Sequence, residues 1–437
     1  MAYPGRKGGR LKLKALLRSR LARYALVSVA VMVAGGAALI VSSRTSVAVS
    51  ATTAVALPRV NGAHAADPEV LLYRTLGEVS NKRMDSAISE IDKIISAYPN
   101  FRLAHLIKGD LLLARARPLT TLGNAPGAPR DQLEDLREEA RARLARFHHP
   151  RPVNLVPRYL VQMQPEQRQA IVVDTARSTL YLFENHGGQP RYVADYYISI
   201  GKKGYDKYRE GDNKTPLGVY HITGSLSRDK LNATYGRLAE QYGAGALPLS
   251  YPNEWDRREG RDGYGIWLHG VPFDTYSRPP RASNGCVAMT NEDFAAISRH
   301  AQIGVTPVII ANGVDWVAPG AGQALRSELA GQIESWRRDW ESLDTEKLLR
   351  HYAPDFSSGR MDFAQFADQK RKVNAGKSWI KLKLDKVSVF LYPGRDDLAV
   401  VTFEQDYASS NLANQMRKRQ YWIRQDNAWR ILHEGAG

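Results

Sequence analysis

Residues 265–290 read GIWLHGVPFDTYSRPPRASNGCVAMT, and two points in this stretch decide how the whole chain is read. Cys286 is the only thiol in 437 residues. A lone cysteine can neither close an intramolecular disulfide nor fill a multi-cysteine metal site, so it is either an inert packed side chain or a nucleophile. Ser283-Asn284-Gly285-Cys286 is a small, turn-forming tetrapeptide, expected directly before a helix whose backbone N–H groups would point at a thiolate or an oxyanion. His269 follows the apolar run Gly265–Leu268 and precedes Gly270, which places it at a strand end beside a tight turn. A cysteine nucleophile needs an imidazole nearby, because the thiolate is the reactive form. Of the ten histidines, His186 and His269 stand directly before a glycine, and of these two His269 is the one that directly follows an apolar run.

The sequence around this pair has the period of β-structure. Ile171-Val172-Val173-Asp174 and Thr179-Leu180-Tyr181-Leu182-Phe183 are β-branched and aromatic runs about a polar turn, a hairpin signal. Tyr192–Ile200, Val219–Ile222, Ile266–Leu268 and Val305–Ile310 continue the series. A mainly-β domain over 168–315 follows, with a long insertion near 225–262 and one clear helix from Asn291 to about His300, opened by Thr290 and Asp293. The insertion carries Tyr235, Tyr242, Tyr251 and Trp255, with Tyr264 beside it: aromatics suited to a lid over a sugar or peptide, or to packing the loop down.

Both flanks have other patterns. Residues 67–149 are helical, with Ala87, Ile88, Ile91, Ile94 and Ile95 on one face, Leu103, Leu106, Leu111 and Leu113 on the next helix, and Pro99 between them. The stretch Ala87–Ala114 resembles a tetratricopeptide repeat unit, which implies a surface for a protein partner; a plain helical spacer fits the pattern as well. Residues 323–437 open with a helix over Gln323–Leu343 bearing Trp336 and Trp340 four apart, and strands follow over 380–433. A long helix curled on a bent antiparallel sheet resembles the α+β NTF2-like cone. Trp336, Trp379, Tyr407 and Trp422 are its candidate mouth, or simply its core.

The net charge of +16 would suggest nucleic acid were it spread over the chain. Residues 1–66 hold ten Lys or Arg and no acid, leaving 51 basic against 45 acidic residues beyond them. The excess is mostly N-terminal, and eight of those ten cations form a basic segment, 1–23, ahead of the uncharged run Tyr24–Ser43. Twenty residues at 1.5 Å rise span about 30 Å, a bilayer's hydrocarbon thickness. Cations before the span put the N-terminus in the cytoplasm and the bulk of the chain outside. The expectation is a single-pass inner-membrane anchor at 24–43, a linker at 44–66 and a catalytic domain in the periplasm, without nucleic-acid binding. Small residues at Gly62–Ala66 would suit a signal peptidase, but they lie more than 20 residues beyond the span, which favours an uncleaved anchor.

Taken together, His269-Gly270, Ser283-x-Gly285-Cys286 and, upstream, Gly211-Asp212-x-x-Thr215-Pro216-x-Gly218-x-Tyr220 resemble the YkuD-type L,D-transpeptidases over about 168–312. The full order of segments is similar to the helical-cell-shape L,D-carboxypeptidases. The resemblance implies cysteine acyl transfer on peptidoglycan tetrapeptide stems, without metal or organic cofactor. It implies that Cys286 attacks, that His269 moves the proton, and that the carbonyl of Gly270 fixes the His269 tautomer. Backbone N–H groups about Gly285 and Cys286 would hold the oxyanion. Ser283, Asn284, Gly285, Arg281, Thr215 and Tyr220 are then the candidate substrate-binding residues. Two positions depart from the family pattern: Asn284 stands where many members have a second histidine, and Ala288 where many have an arginine. Arg281, Arg278 or a residue of the insertion would have to meet a substrate carboxylate instead. Three readings stay open: an L,D-transpeptidase with an amine acceptor, an L,D-carboxypeptidase or other hydrolase of stem peptides, and a catalytically inactive wall-binding scaffold.

Overall fold

The computed structural model describes residues 68–437 apart from 126 and 360. The expected basic segment, membrane span and linker lie outside the described residues. No helix among the described residues is long and apolar enough to cross a membrane.

Four helices come first, Pro68–Ser80, Met84–Ala97, Arg102–Ala114 and Arg130–His148. Ala87, Ile91 and Ile94 on the second meet Leu103, Ala104 and Ile107 on the third in one apolar core, as their helical spacing requires.

Beyond them lies a five-stranded sheet in the order Gln189–Tyr197, Thr179–His186, Gln169–Asp174, Pro307–Ala311, Gly218–His221. The expected hairpin is its centre, with Asp174 paired to Thr179 and Gln169 to Glu184. Successive side chains on a strand point to opposite faces, and here both faces are covered. Ile171, Val173, Leu180, Leu182, Val308 and Ile310 face the core that carries the catalytic residues. Ala170, Val172, Tyr181, Phe183 and Ile309 face the other way, into a core shared with Trp336, Phe390 and Trp422 of the C-terminal domain. A second sheet, in the order Val287–Ala288, Trp267–His269, Gly245–Pro248, Leu226–Ser227, holds the candidate site.

The insertion is more ordered than a loop reading allows, and the expectation of one clear helix in this domain is corrected. Ser227 caps a helix over Arg228–Tyr235 by accepting from the Lys230 N–H. A 3₁₀ turn follows over Gly236–Tyr242. Asn253 and Asp256 form a capping box on Glu254–Arg258. The strand Gly245–Pro248 pairs with the strand that ends in His269, so the insertion is part of the site's scaffold.

The C-terminal sheet has seven strands, the longest being Ile380–Leu391, Leu398–Ser409, Leu412–Gln425 and Ala428–Ala436. Its edge strand, Leu160–Gln162, comes from ahead of the middle domain and pairs with Val389 and Phe390. The helix Gln323–Glu341 buries Trp336 and Trp340 against this sheet. The four aromatics do not share a mouth: Trp336, Tyr407 and Trp422 are buried, whereas Trp379 is 44% exposed. Burial of the two inner indoles is made possible by partners for their N–H groups, Trp336 donating to the Tyr352 hydroxyl and Trp422 to Gln420 Oε1, each at 3.0 Å.

Candidate active site

His269 and Cys286 are brought together by two parallel strands. Leu268 pairs with Val287 and His269 with Ala288, so Cys286 stands directly before its strand, two residues ahead of the position paired with His269. The Met289 N–H donates to the His269 carbonyl at 3.0 Å. Ser199 and Ala288 exchange backbone hydrogen bonds at 2.8 Å on the other edge. Cys286 is therefore not at a helix N-terminus. The strand Val287–Ala288 intervenes, and the helix begins at Asn291.

The imidazole is buried and its Nδ1 lies 2.5 Å from the Gly270 carbonyl oxygen. That contact places the proton on Nδ1 and leaves Nε2 as the acceptor. Gly270 is required here because a Cβ would run into Asn291 Oδ1 and into the backbone of Ala244, at 3.0 Å. Asn291 accepts from the Ala244 N–H at 2.8 Å and donates to the Val271 carbonyl at 2.9 Å, joining the helix start to both sides of the histidine turn. Burial, reinforced by the charge of Arg278, lowers the His269 pKa to about 4. Burial likewise raises the Cys286 thiol to about 11, against the pull of the Trp267 backbone N–H and of Arg278. The resting pair is a neutral thiol and a neutral imidazole, with Cys286 Sγ 3.2 Å from the Gly265 carbonyl oxygen, where the S–H can rest.

The turn before the cysteine is tied by its own serine. Ser283 Oγ donates to the Cys286 carbonyl at 2.6 Å and accepts from the Gly285 N–H at 3.1 Å. This corrects the expected oxyanion donors, because the Gly285 N–H is spent inside the turn. Gly285 has φ +127°, and a Cβ there would lie 2.7 Å from the Lys214 carbonyl oxygen. Asn284 is exposed on the turn and lines the cleft.

That cleft has a volume of about 720 Å³ and is bordered by Cys286, His269, Ser283, Asn284, Arg278 and Lys207. Its insertion side is an aromatic wall. The Tyr242 ring packs edge-on to the His269 ring at 5.2 Å and against Trp267 at 4.8 Å, while Tyr235 lies 5.8 Å from Trp267. Tyr264 also borders the opening, but Tyr251 and Trp255 are buried elsewhere, so the lid expectation fits only part of the insertion.

Three expected binding residues are corrected. Thr215 is fully buried behind the site, where its hydroxyl donates to the Gly285 carbonyl at 2.9 Å and accepts from the Gly201 N–H at 3.0 Å. It braces the cysteine turn from behind. Tyr220 is buried in the core and donates to the Leu217 carbonyl, away from the cleft. Arg281 is exposed on the short strand Arg281–Ser283 and does not line the cleft, whereas Arg278, three residues earlier, does. Ala288 is buried in its strand, so no cation projects from that position. Arg278 had no sequence signal to set it apart from the other loop arginines.

With this geometry in place, residues 168–310 match the model of the YkuD L,D-transpeptidase catalytic domain, and residues 328–435 match that of the Cds6 C-terminal NTF2-like domain. The middle domain is thus a YkuD-type L,D-transpeptidase catalytic domain, and the chain continues into an NTF2-like domain. The structure of Bd1075 from Bdellovibrio bacteriovorus is 28% identical, with a TM-score of 0.55 over 65% of this chain and 98% of that one. The helical cell shape determining protein Pgp2 from Campylobacter jejuni is 24% identical, with a TM-score of 0.54 over 64% of this chain and 96% of that one, a likeness of fold. No curated protein sequence matches the chain.

Proposed function

We propose that the protein is a cysteine-dependent L,D-acyltransferase of peptidoglycan, acting on tetrapeptide stems and passing the acyl group to an amine. The observation that carries this reading is the arrangement His269 Nδ1–Gly270 carbonyl beside Cys286 on the adjoining strand, inside a domain of this family. Cys286 Sγ attacks the carbonyl carbon of the donor's third residue as Nε2 of His269 takes the thiol proton. Because both groups rest neutral, transfer of the proton accompanies attack. The imidazolium then protonates the departing amine, the terminal D-alanine leaves, and a thioester remains. An incoming amine, deprotonated by the same imidazole, attacks the thioester and frees the thiol. With the Gly285 N–H occupied, the Cys286 N–H and the side-chain amide of Asn284 are the oxyanion donors at hand.

Hydrolysis is the second reading, in which water replaces the amine and the products are a tripeptide stem and free D-alanine. The alanine at 288, with no cation where many transpeptidases have one, favours it, as does the order of domains. Disaccharide-tetrapeptide incubated with wild type and with Cys286→Ala, followed by mass spectrometry, separates the readings. Cross-linked dimer lost in the variant supports amine transfer. Tripeptide and D-alanine without dimer support hydrolysis. Unchanged substrate in both samples, on stems and on lipoprotein-linked peptidoglycan alike, would leave the scaffold reading.

The proposed site of action is the periplasm, with the protein held in the inner membrane by 24–43; this rests on the sequence of that segment. A reporter fused after Gly437 that is active only outside the cytoplasm tests it.

A further inference from the structure

Resting on the acyl-transfer reading, we propose that Arg278 selects stems ending in a free carboxylate, and that Glu139, on the last helix of the helical domain, is its positioning residue. Arg278 lines the cleft beside Cys286. The guanidinium donates to the Ala282 carbonyl at 3.3 Å, and its Nε is buried without a partner. After desolvation, which lowers its pKa, the groups that act on it are Cys286 and Tyr197, neither of them a carboxylate. A half-buried cation facing a cleft without a compensating anion is a costly arrangement that an anionic ligand relieves. A donor stem brings such a group when its terminal residue, the leaving group, ends in a carboxylate next to the scissile amide. Arg presents a planar fork matched to a carboxylate.

The loop that carries Arg278 is held from both sides. On the catalytic side, Tyr197 Oη donates to the Arg278 carbonyl at 2.9 Å, Ser199 Oγ to the Pro279 carbonyl at 2.8 Å, and the Ile200 N–H to the Pro280 carbonyl at 2.8 Å. On the helical side, Ser277 Oγ accepts from the Leu103 N–H at 2.9 Å, at the start of the third helix. Tyr276 packs against Tyr98 and Phe101, at 4.8 and 4.5 Å. Glu139 is fully buried and paired to Arg143 at 2.9 Å, and Arg143 lies over the Tyr197 ring at 4.1 Å. The helical domain therefore helps to fix the backbone at the arginine that borders the nucleophile.

The test uses the full chain and two synthetic donors, disaccharide-tetrapeptide with a free C-terminal carboxylate and the same donor as its C-terminal amide. Binding is measured first by calorimetry in the Cys286→Ala background, which needs no turnover. That protein should bind the acid about 10- to 100-fold more tightly than the amide, the range for a hydrogen bond to a charged group. Adding Arg278→Gln should abolish the preference, and Arg278→Lys should restore part of it. Adding Glu139→Ala should narrow it several-fold, while Glu139→Gln, which still accepts from the Arg143 guanidinium that backs Tyr197, should keep most of it. A loss in Glu139→Ala that is equal for acid and amide would mark a merely structural role and overturn the positioning claim. Equal binding of acid and amide by Cys286→Ala, or binding of neither, overturns the proposal. A clear preference for the acid together with no turnover by the wild type would instead sustain the selectivity and sink the acyl-transfer reading.

Discussion

At the scale of single residues, the chemistry is governed by what the folded chain does to two ordinary pKa values. A thiol at about 11 beside an imidazole at about 4 leaves a thiolate fraction of roughly 10⁻⁴ at pH 7. Iodoacetamide should therefore alkylate Cys286 slowly at neutrality and faster with each pH step toward 11; a plateau of fast alkylation reached by pH 6 would reveal a thiolate–imidazolium pair instead. The base has the opposite requirement. Its depressed pKa keeps the imidazole neutral above about pH 4, so kcat/KM should hold steady from about pH 5 upward and fall as the pH drops through 4, measured as a pH–rate profile. Gly285→Ala should fold poorly or lose about two orders of magnitude in activity, since φ +127° and the Lys214 carbonyl both exclude a side chain; turnover with a circular dichroism control reads this. Cys286, His269, Gly270 and Ser283 were legible in the sequence because each needs a residue type that leaves few substitutes. Thr215 and Tyr220 read as binding residues because a motif residue and a ligand residue look alike in sequence, and only burial separates them. Asn291 and Thr215 act by bracing backbone, a role with no compositional mark.

At the scale of elements, the site depends on strands too short to be recognised by periodicity. Val287–Ala288 and Arg281–Ser283 cannot show an alternation, so in sequence the cysteine reads as preceding a helix whose start lies five residues further on. The insertion hides its order for a related reason. Its strand Gly245–Pro248 reads as loop until its partner, the His269 strand, is known. Thr215→Val removes a buried hydroxyl that serves both Gly285 and Gly201, and should cost about 1–3 kcal/mol by leaving a buried partner unpaired, measured as a shift in the urea midpoint. Activity should fall with it, because the cysteine turn loses its brace. If stability fell and the rate of turnover per folded molecule did not, Thr215 would be structural alone.

At the scale of the molecule, the middle and C-terminal domains are one packed body. Strand Leu160–Gln162 precedes the catalytic domain in sequence yet edges the C-terminal sheet, and both faces of the central hairpin are covered. Continuous apolar runs such as Ile171-Val172-Val173 carry that information, though they do not say what covers each face. The contact also has a polar centre: Arg419 Nη1 donates to both oxygens of Glu254 at 3.0 and 3.2 Å, and Tyr421 Oη donates to the same carboxylate at 3.0 Å. Glu254 is desolvated, but Arg419 and these hydrogen bonds hold its pKa below the ordinary carboxylate value. A carboxylate depressed in the folded state stabilises above its unfolded pKa and loses that contribution as the pH falls through its folded value. Glu254→Ala should therefore destabilise by about 3–5 kcal/mol at pH 7, with a smaller difference from wild type in acid. Calorimetry should show the catalytic and C-terminal domains melting in one transition in the wild type. Two well-separated transitions there would mean that the shared core does not couple them.

The most direct test of the central claim is the intact mass of the protein mixed with disaccharide-tetrapeptide and quenched in acid within seconds. The wild type should carry an adduct equal to the donor less D-alanine, removable by hydroxylamine and absent from Cys286→Ala. Release of D-alanine with no adduct dependent on Cys286, or no reaction on any stem, would contradict the assignment of Cys286 as the acyl carrier.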